Sequence, residues 1–234
     1  MNNLRVLLLA GVSLFINLNL SAQKLPLRFG IKAGLNLSNA IVNDAAGTTS
    51  KLGCRIGGTL EYSLSEKFLI QSGLYYATKN AEVHALNGSK YIPSPPDDTH
   101  TFNASYLTVP VYGAFKVSVT NGFNIVLGVG PYVGYGIGGK TRQKLNSGTW
   151  GDGATETDWE TFGNGVFDEN RSWLRGTTLK RLDIGVGTNI DFAYHNCILS
   201  VGYEQGLRNS AAQDYHQGLQ YRNSVMQVSV GYKL

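Results

Sequence analysis

Between positions 181 and 192, hydrophobic and polar residues alternate without a break. Leu182, Ile184, Val186, Thr188, Ile190 and Phe192 fall on one side; Arg181, Asp183, Gly185, Gly187, Asn189 and Asp191 fall on the other. Period-two alternation is the signature of a β-strand with one apolar and one polar face. Its length suits a tilted membrane crossing of about 9–11 residues better than a soluble strand of about five or six.

The pattern recurs. It predicts strands over 28–38, 54–64, 68–79, 105–117, 123–137, 181–192 and 197–208, and an eighth carrying Met226, Val228, Val230, Tyr232 and Leu234 on its apolar face. Pro93, Pro95 and Pro96 forbid a continuous strand through 80–103, and Asn121-Gly122 is a hairpin signal. Short turns at 65–67, 121–122 and 194–196 therefore alternate with long connections at 39–52, 80–103, 138–177 and 209–223. That asymmetry predicts an all-β fold, an eight-stranded antiparallel up-and-down transmembrane β-barrel with short periplasmic turns and long external loops. A Greek-key sandwich has no reason to produce it. The 138–177 stretch is long enough to hold another hairpin, which would make ten strands.

Aromatic residues support the barrel. With the first strand running outward, Phe29, Tyr62, Phe68, Phe115, Phe123, Phe192 and Tyr232 gather at the periplasmic end of the apolar faces, and Tyr76, Tyr135 and Tyr203 at the outer end. Such girdles flank the lipid-facing band of outer-membrane barrels. The polar faces then fill a lumen just wide enough for side chains, so its charges must compensate one another. Two structural clusters are expected: Arg181, Asp183, Glu204 and Arg208 at the outer end, and Arg28, Glu61 and Lys233 at the inner end. Pro110 and Pro131, at similar heights, should leave the ladder bulged or open. Cys54 and Cys197 begin non-neighbouring strands at opposite ends, whereas a disulfide needs Cα atoms within about 7 Å. Both should be free, lipid-facing thiols.

Composition adds limits. Of 234 residues only 15% are charged, and the net charge of +4 is spread without a Lys/Arg run, which argues against a nucleic-acid partner. Arg5 followed by apolar residues 6–16 and a small residue at Ala22 reads as a secretory signal peptide over 1–22, leaving 23–234 as the barrel domain. No later apolar run approaches the ~18 residues of a transmembrane helix.

Catalytic signatures are missing: there is no nucleophile elbow, phosphate loop or HExxH. His84, His100, His195 and His216 are assigned to solvated loops or turns without metal-ligand spacing. The acidic run Asp152, Glu156, Asp158, Glu160, Asp168 and Glu169 lacks EF-hand spacing. The expectation is a non-enzymatic protein without metal or cofactor. Two alternatives stay open: a small outer-membrane barrel enzyme acting on lipid, and a soluble secreted β-sandwich binding protein.

Four short stretches carry a family likeness: Phe29-Gly30-Ile31-Lys32-Ala33-Gly34, Tyr106-Leu107-Thr108-Val109-Pro110, Gly128-Val129-Gly130-Pro131-Tyr132 and Val230-Gly231-Tyr232-Lys233-Leu234. Together they resemble the PorT-like outer-membrane β-barrel family of Gram-negative bacteria. The resemblance implies an eight-stranded barrel in the outer membrane. It also implies contact with outer-membrane lipid, and a secretion-system or surface protein as partner, since the family's namesake is tied to export of surface proteins by the type IX secretion system. The C-terminus is similar to the signal read by the barrel-assembly machinery, with Gln227, Ser229, Tyr232 and Leu234 in its four places. Ser stands where Gly is usual, and Leu where Phe is usual.

Overall fold

The computed structural model describes residues 26–43, 45, 47–84, 98–145, 155–162, 178–212 and 220–234. The expected signal peptide and His216 lie outside these residues. Among them run nine strands: β1 (Leu27–Val42), β2 (Gly47–Ser63), β3 (Phe68–His84), β4 (Asp98–Thr120), β5 (Phe123–Leu145), β6 (Thr155–Glu160), β7 (Leu182–Tyr194), β8 (Cys197–Gly206) and β9 (Tyr221–Lys233). All pairings are antiparallel. Eight strands close a barrel in the order β1-β2-β3-β4-β5-β7-β8-β9, with β9 returning to β1. β6 is an added strand, paired from Lys140↔Glu160 to Leu145↔Thr155 with the upper part of β5.

The outward faces follow from the alternation. Ile31, Leu35 and Leu37 on β1, Ile70 and Leu74 on β3, Val109 and Val111 on β4, and Val129 and Val133 on β5 are all exposed, as a surface solvated by lipid requires. Tyr62, Phe68, Phe115, Phe192 and Tyr232 project at the periplasmic end, and Tyr76, Tyr135 and Tyr203 at the outer end. Outer tyrosines anchor to polar neighbours: Tyr76 OH lies 2.9 Å from Ser105 Oγ, and Tyr203 OH donates to Gln205 Oε1 at 2.7 Å.

Strand ends differ from the sequence expectation. β4 and β5 each run 23 residues, and most of 39–52, expected as loop, is strand. The reason is a change of polarity. Above the outer tyrosines the same parity of β3 turns from Leu74 and Tyr76 to Thr78, Asn80 and Glu82, and that of β4 from Val109 and Leu107 to Ser105, Asn103 and Thr101. The strands continue, but their outer face now meets water. On β5 the change coincides with an irregularity, since Tyr106 pairs with Gly136 and Ser105 with Gly138, leaving Ile137 unmatched. Gly139 supplies the φ of +148° that the bend requires. Outward Tyr135 and Ile137 thereby give way to outward Lys140, Arg142 and Lys144.

Around the prolines the ladder is open. Pairing between β4 and β5 stops at Pro110↔Tyr132 and resumes at Gly113↔Val129 in the same register, so there is a gap but no bulge. Ser72 Oγ donates to the Pro110 carbonyl at 2.7 Å.

Candidate functional site

The polar faces converge on three tiers of charge inside the barrel, the lower two of them joined. At the periplasmic end Lys233 Nζ donates to Glu61 Oε2 at 2.7 Å. Above it, Lys32 Nζ lies 2.9 Å from Asp191 Oδ2, and Gln71 Nε2 donates both to that oxygen (3.0 Å) and to Glu61 Oε1 (3.1 Å), joining the two tiers. The third tier is fully enclosed. Arg55 Nη1 donates to Glu204 Oε1 at 2.6 Å; Lys79 Nζ donates to Asp183 Oδ2 at 3.0 Å and Glu204 Oε2 at 3.2 Å. Asn223 Nδ2 also donates to Asp183, at 3.0 Å. Lys79 is 1% exposed, and Asp183 and Glu204 are 0% exposed. Charges so deeply desolvated persist only when matched, and here two cations meet two carboxylates.

Aromatic rings pack between the tiers. The Arg55 guanidinium sits 3.9 Å from the Tyr75 ring centroid, and the Lys79 ammonium 4.3 Å from that of Tyr132. These contacts add cation–π attraction in a dry setting. A cavity of about 40 Å³ remains beside Lys32, Tyr112, Asn189 and Gln227. Tyr112 OH, Asn189 Oδ1 and Gln227 Oε1 have no protein partner among the described residues, and the space admits water to bridge them.

The outer mouth is closed by a different material. Ala40, Ala81, Val83, Phe102, Ala104, Tyr106, Phe162, Leu179, Ala211 and Tyr221 form one buried cluster. Phe102 meets Tyr221 edge-on with centroids 5.2 Å apart, and Phe162 meets Tyr106 at 5.3 Å. Phe162 can enter because position 136 is glycine; a Cβ there would stand 2.3 Å from its ring. Segments 161–162, 178–180 and 210–212 knit the rim through Leu179 N to Thr161 O (2.7 Å) and Ala212 N to Thr178 O (2.9 Å). Outside this cap β5 and β6 carry opposed charges, with Arg142 Nε donating to Asp158 Oδ1 at 2.9 Å and Lys144 placed 3.8 Å from Glu156. The bond from Arg142 holds the Asp158 carboxyl below the usual range, and the same bond raises Arg142.

The expected clusters divide. Asp183 and Glu204 come together inside, joined by Lys79 and Arg55. Arg181 and Arg208 do not join them: both are exposed at the rim, and Arg181 donates to the Gly136 carbonyl at 2.8 Å. A bulge explains Arg208, since the amides of Leu207 and Arg208 share the Ile184 carbonyl and the side chain leaves the inward parity of β8. At the inner end Glu61 and Lys233 pair, while Arg28, opposite Glu61 in register, is exposed. Gln227 and Ser229 face the lumen, and Tyr232 and Leu234 face outward. His84 and His100 lie in strands, not loops; His100 is buried against Trp159 at 6.0 Å between centroids. Of the acidic run, Asp152, Asp168 and Glu169 lie outside the described residues. No cluster of metal-ligating side chains occurs among the described residues. Cys54 and Cys197 are free and exposed.

Lys79 was legible in principle, because it shares the inward parity of Gln71 and Tyr75 on β3. The lumenal tyrosines carried no such signal, since an aromatic ring on the polar parity of a strand is not a charge that demands a partner.

This ring of eight lipid-facing strands around an ionic core agrees with an independent comparison of sequence. The model of the family described as outer membrane protein beta-barrel domain matches residues 21–212. The chain belongs to that family. It is an outer-membrane protein, and the soluble sandwich is set aside. Among solved structures the fold is similar to OprG from Pseudomonas aeruginosa, at 12% identity over 88% of this chain and 95% of that one, with a TM-score of 0.47. It is also similar to Ail of Yersinia pestis, at 10% identity over 89% and 99% with a TM-score of 0.42, and to Neisserial surface protein A, at 12% over 88% and 97% with a TM-score of 0.41. No protein of curated function matches the sequence.

Proposed function

We propose that this barrel is a non-enzymatic surface-interaction protein: its membrane-spanning part is a filled anchor, and its water-facing extension is the contact surface for a partner. The observation that carries this reading is the length of β4 and β5, 23 residues each, about twice a membrane crossing. Beyond the outer tyrosines these strands and β6 form a wall packed on its own apolar cluster, and so present polar side chains from a firm support. The ion-paired lumen supports an anchor over a channel. The likeness to PorT-like barrels names one class of partner, a surface protein handled by a secretion complex. The closing segment through Tyr232 and Leu234 serves the barrel-assembly machinery.

Photo-crosslinking in intact cells tests the reading. A photoreactive residue at Thr101 or Arg142 should give protein adducts, and one at Val119 near the periplasmic turn should give none of the same size. Adducts missing at both outer positions, or an outer-membrane lipid profile altered by deleting the protein, would overturn it.

A further inference from the structure

Arg208, expected inside, stands on the outer rim in the company of other cations. Immediately above the lipid-facing Ile184, Tyr203, Leu207 and Met226, three neighbouring segments bring Lys180, Arg208 and Arg222 to one stretch of the barrel. Backbone bonds fix their adjacency. Lys180 N donates to Ser210 O at 2.7 Å, Arg208 N to Ile184 O at 3.2 Å, and Ser210 N to Tyr221 O at 2.8 Å. Arg222 Nη2 donates to Gln220 Oε1 at 3.3 Å, and its Nε has no acceptor among the described residues. Arg181 adds positive charge at the edge. Residues 178–182, 205–212 and 220–226 contain no carboxylate.

The rest of the described rim is the contrast. There Lys51 pairs with Glu82, Arg142 with Asp158 and Lys144 with Glu156, and Lys140 stands opposite Glu160. Cations with no carboxylate partner among the described residues, set directly over an apolar band, lie where lipid head groups begin. Arg and Lys there favour phosphate through charge-assisted hydrogen bonds. We propose that Lys180, Arg208 and Arg222 bind the phosphorylated head group of an outer-leaflet lipid, whose acyl chains lie along Ile184, Leu207 and Met226. A free phosphate or a soluble acidic partner would make no use of that apolar shelf. The site adjoins the β4–β5–β6 wall but uses none of its charged side chains, so either proposal can fail alone.

The test uses the full-length barrel in phosphatidylcholine nanodiscs doped with diphosphorylated or dephosphorylated lipid A, with retained lipid counted by native mass spectrometry. The wild type should retain the diphosphorylated form selectively. The variant K180Q/R208Q/R222Q should hold it roughly a hundredfold more weakly, three surface cations each contributing a several-fold share. K140Q/R142Q/K144Q should behave as wild type. Heat-modifiable gel mobility checks that each variant folds; should the triple variant not fold, R208Q alone must still show weakened retention. Equal retention by the folded triple variant, equal retention of the dephosphorylated lipid, or displacement by millimolar inorganic phosphate would each overturn the proposal.

Discussion

The membrane-spanning part of the barrel and its outer extension are built from the same strands and packed in opposite senses. Along β3, the inward residues change from Gln71 and Lys79 to Ala81 and Val83, while the outward ones change from Ile70 and Leu74 to Asn80 and Glu82. Inside the membrane, lipid solvates apolar side chains, and the lumen must therefore absorb polar groups in matched pairs. Above it, water solvates the polar face and the interior closes by ordinary apolar burial. One sheet thus holds two cores, an ionic one and an aromatic one, and each depends on what lies outside it.

Breaking the ionic core should cost most. Lys79→Met leaves two buried carboxylates, Asp183 and Glu204, with one cation fewer, and should lower stability by about 3–5 kcal/mol in urea unfolding of the detergent-folded barrel. A loss under about 1 kcal/mol would mean the network is not dry. In the aromatic core, Phe102→Ala should cost about 3–4 kcal/mol. That loss should appear as faster amide exchange in β3 and β4 above Ala81, with the lumenal tiers unchanged. A global loss of protection would show that the two cores unfold as one.

The outward faces permit a sharper comparison. Arg at Val129, 65% exposed to the bilayer, should cost about 2–4 kcal/mol. Arg at Thr101, on the outward face of the extension, should cost no more than about 0.5 kcal/mol. Similar costs at both sites would put the membrane boundary in the wrong place. The smallest effect belongs to the Arg142–Asp158 pair. Because its folded pKa lies below the ordinary 3.8, Asp158 contributes stability that is present above that value and lost as pH falls through the lowered one. Amide exchange in β6 should therefore quicken, slightly, only in strong acid, and Asp158→Asn should remove that dependence.

The two cores were not equally legible. Ile184, Val186 and Ile190 against Asp183, Asn189 and Asp191 announced a half-lipid strand, and the loop asymmetry announced the closed ring. The extension was hidden because strand ends were drawn where the apolar stripe stopped. At Thr78–Asn80 the stripe does not stop; it crosses to the other face, to Ala81 and Val83. Pairing of Lys79 with residues 104 and 125 positions away is a long-range fact that no local pattern encodes. The outward turn of Arg208 came from a bulge, which period-two counting cannot foresee.

The seam between β1 and β9 joins Gly30 to Lys233 and Val42 to Tyr221, so the first strand made must wait for the last. Throughout synthesis and export the edge of β1 lacks its final partner, and an open β-edge with an apolar face is a template for unwanted pairing. The ring closes only after a loop spanning most of the chain has been drawn shut, which makes closure intrinsically slow. Shortening the chain by its final strand would therefore leave an adhesive open sheet in place of a smaller barrel. The cell's quality control would meet that truncated product as an aggregate in the periplasm, and none of it would reach the surface.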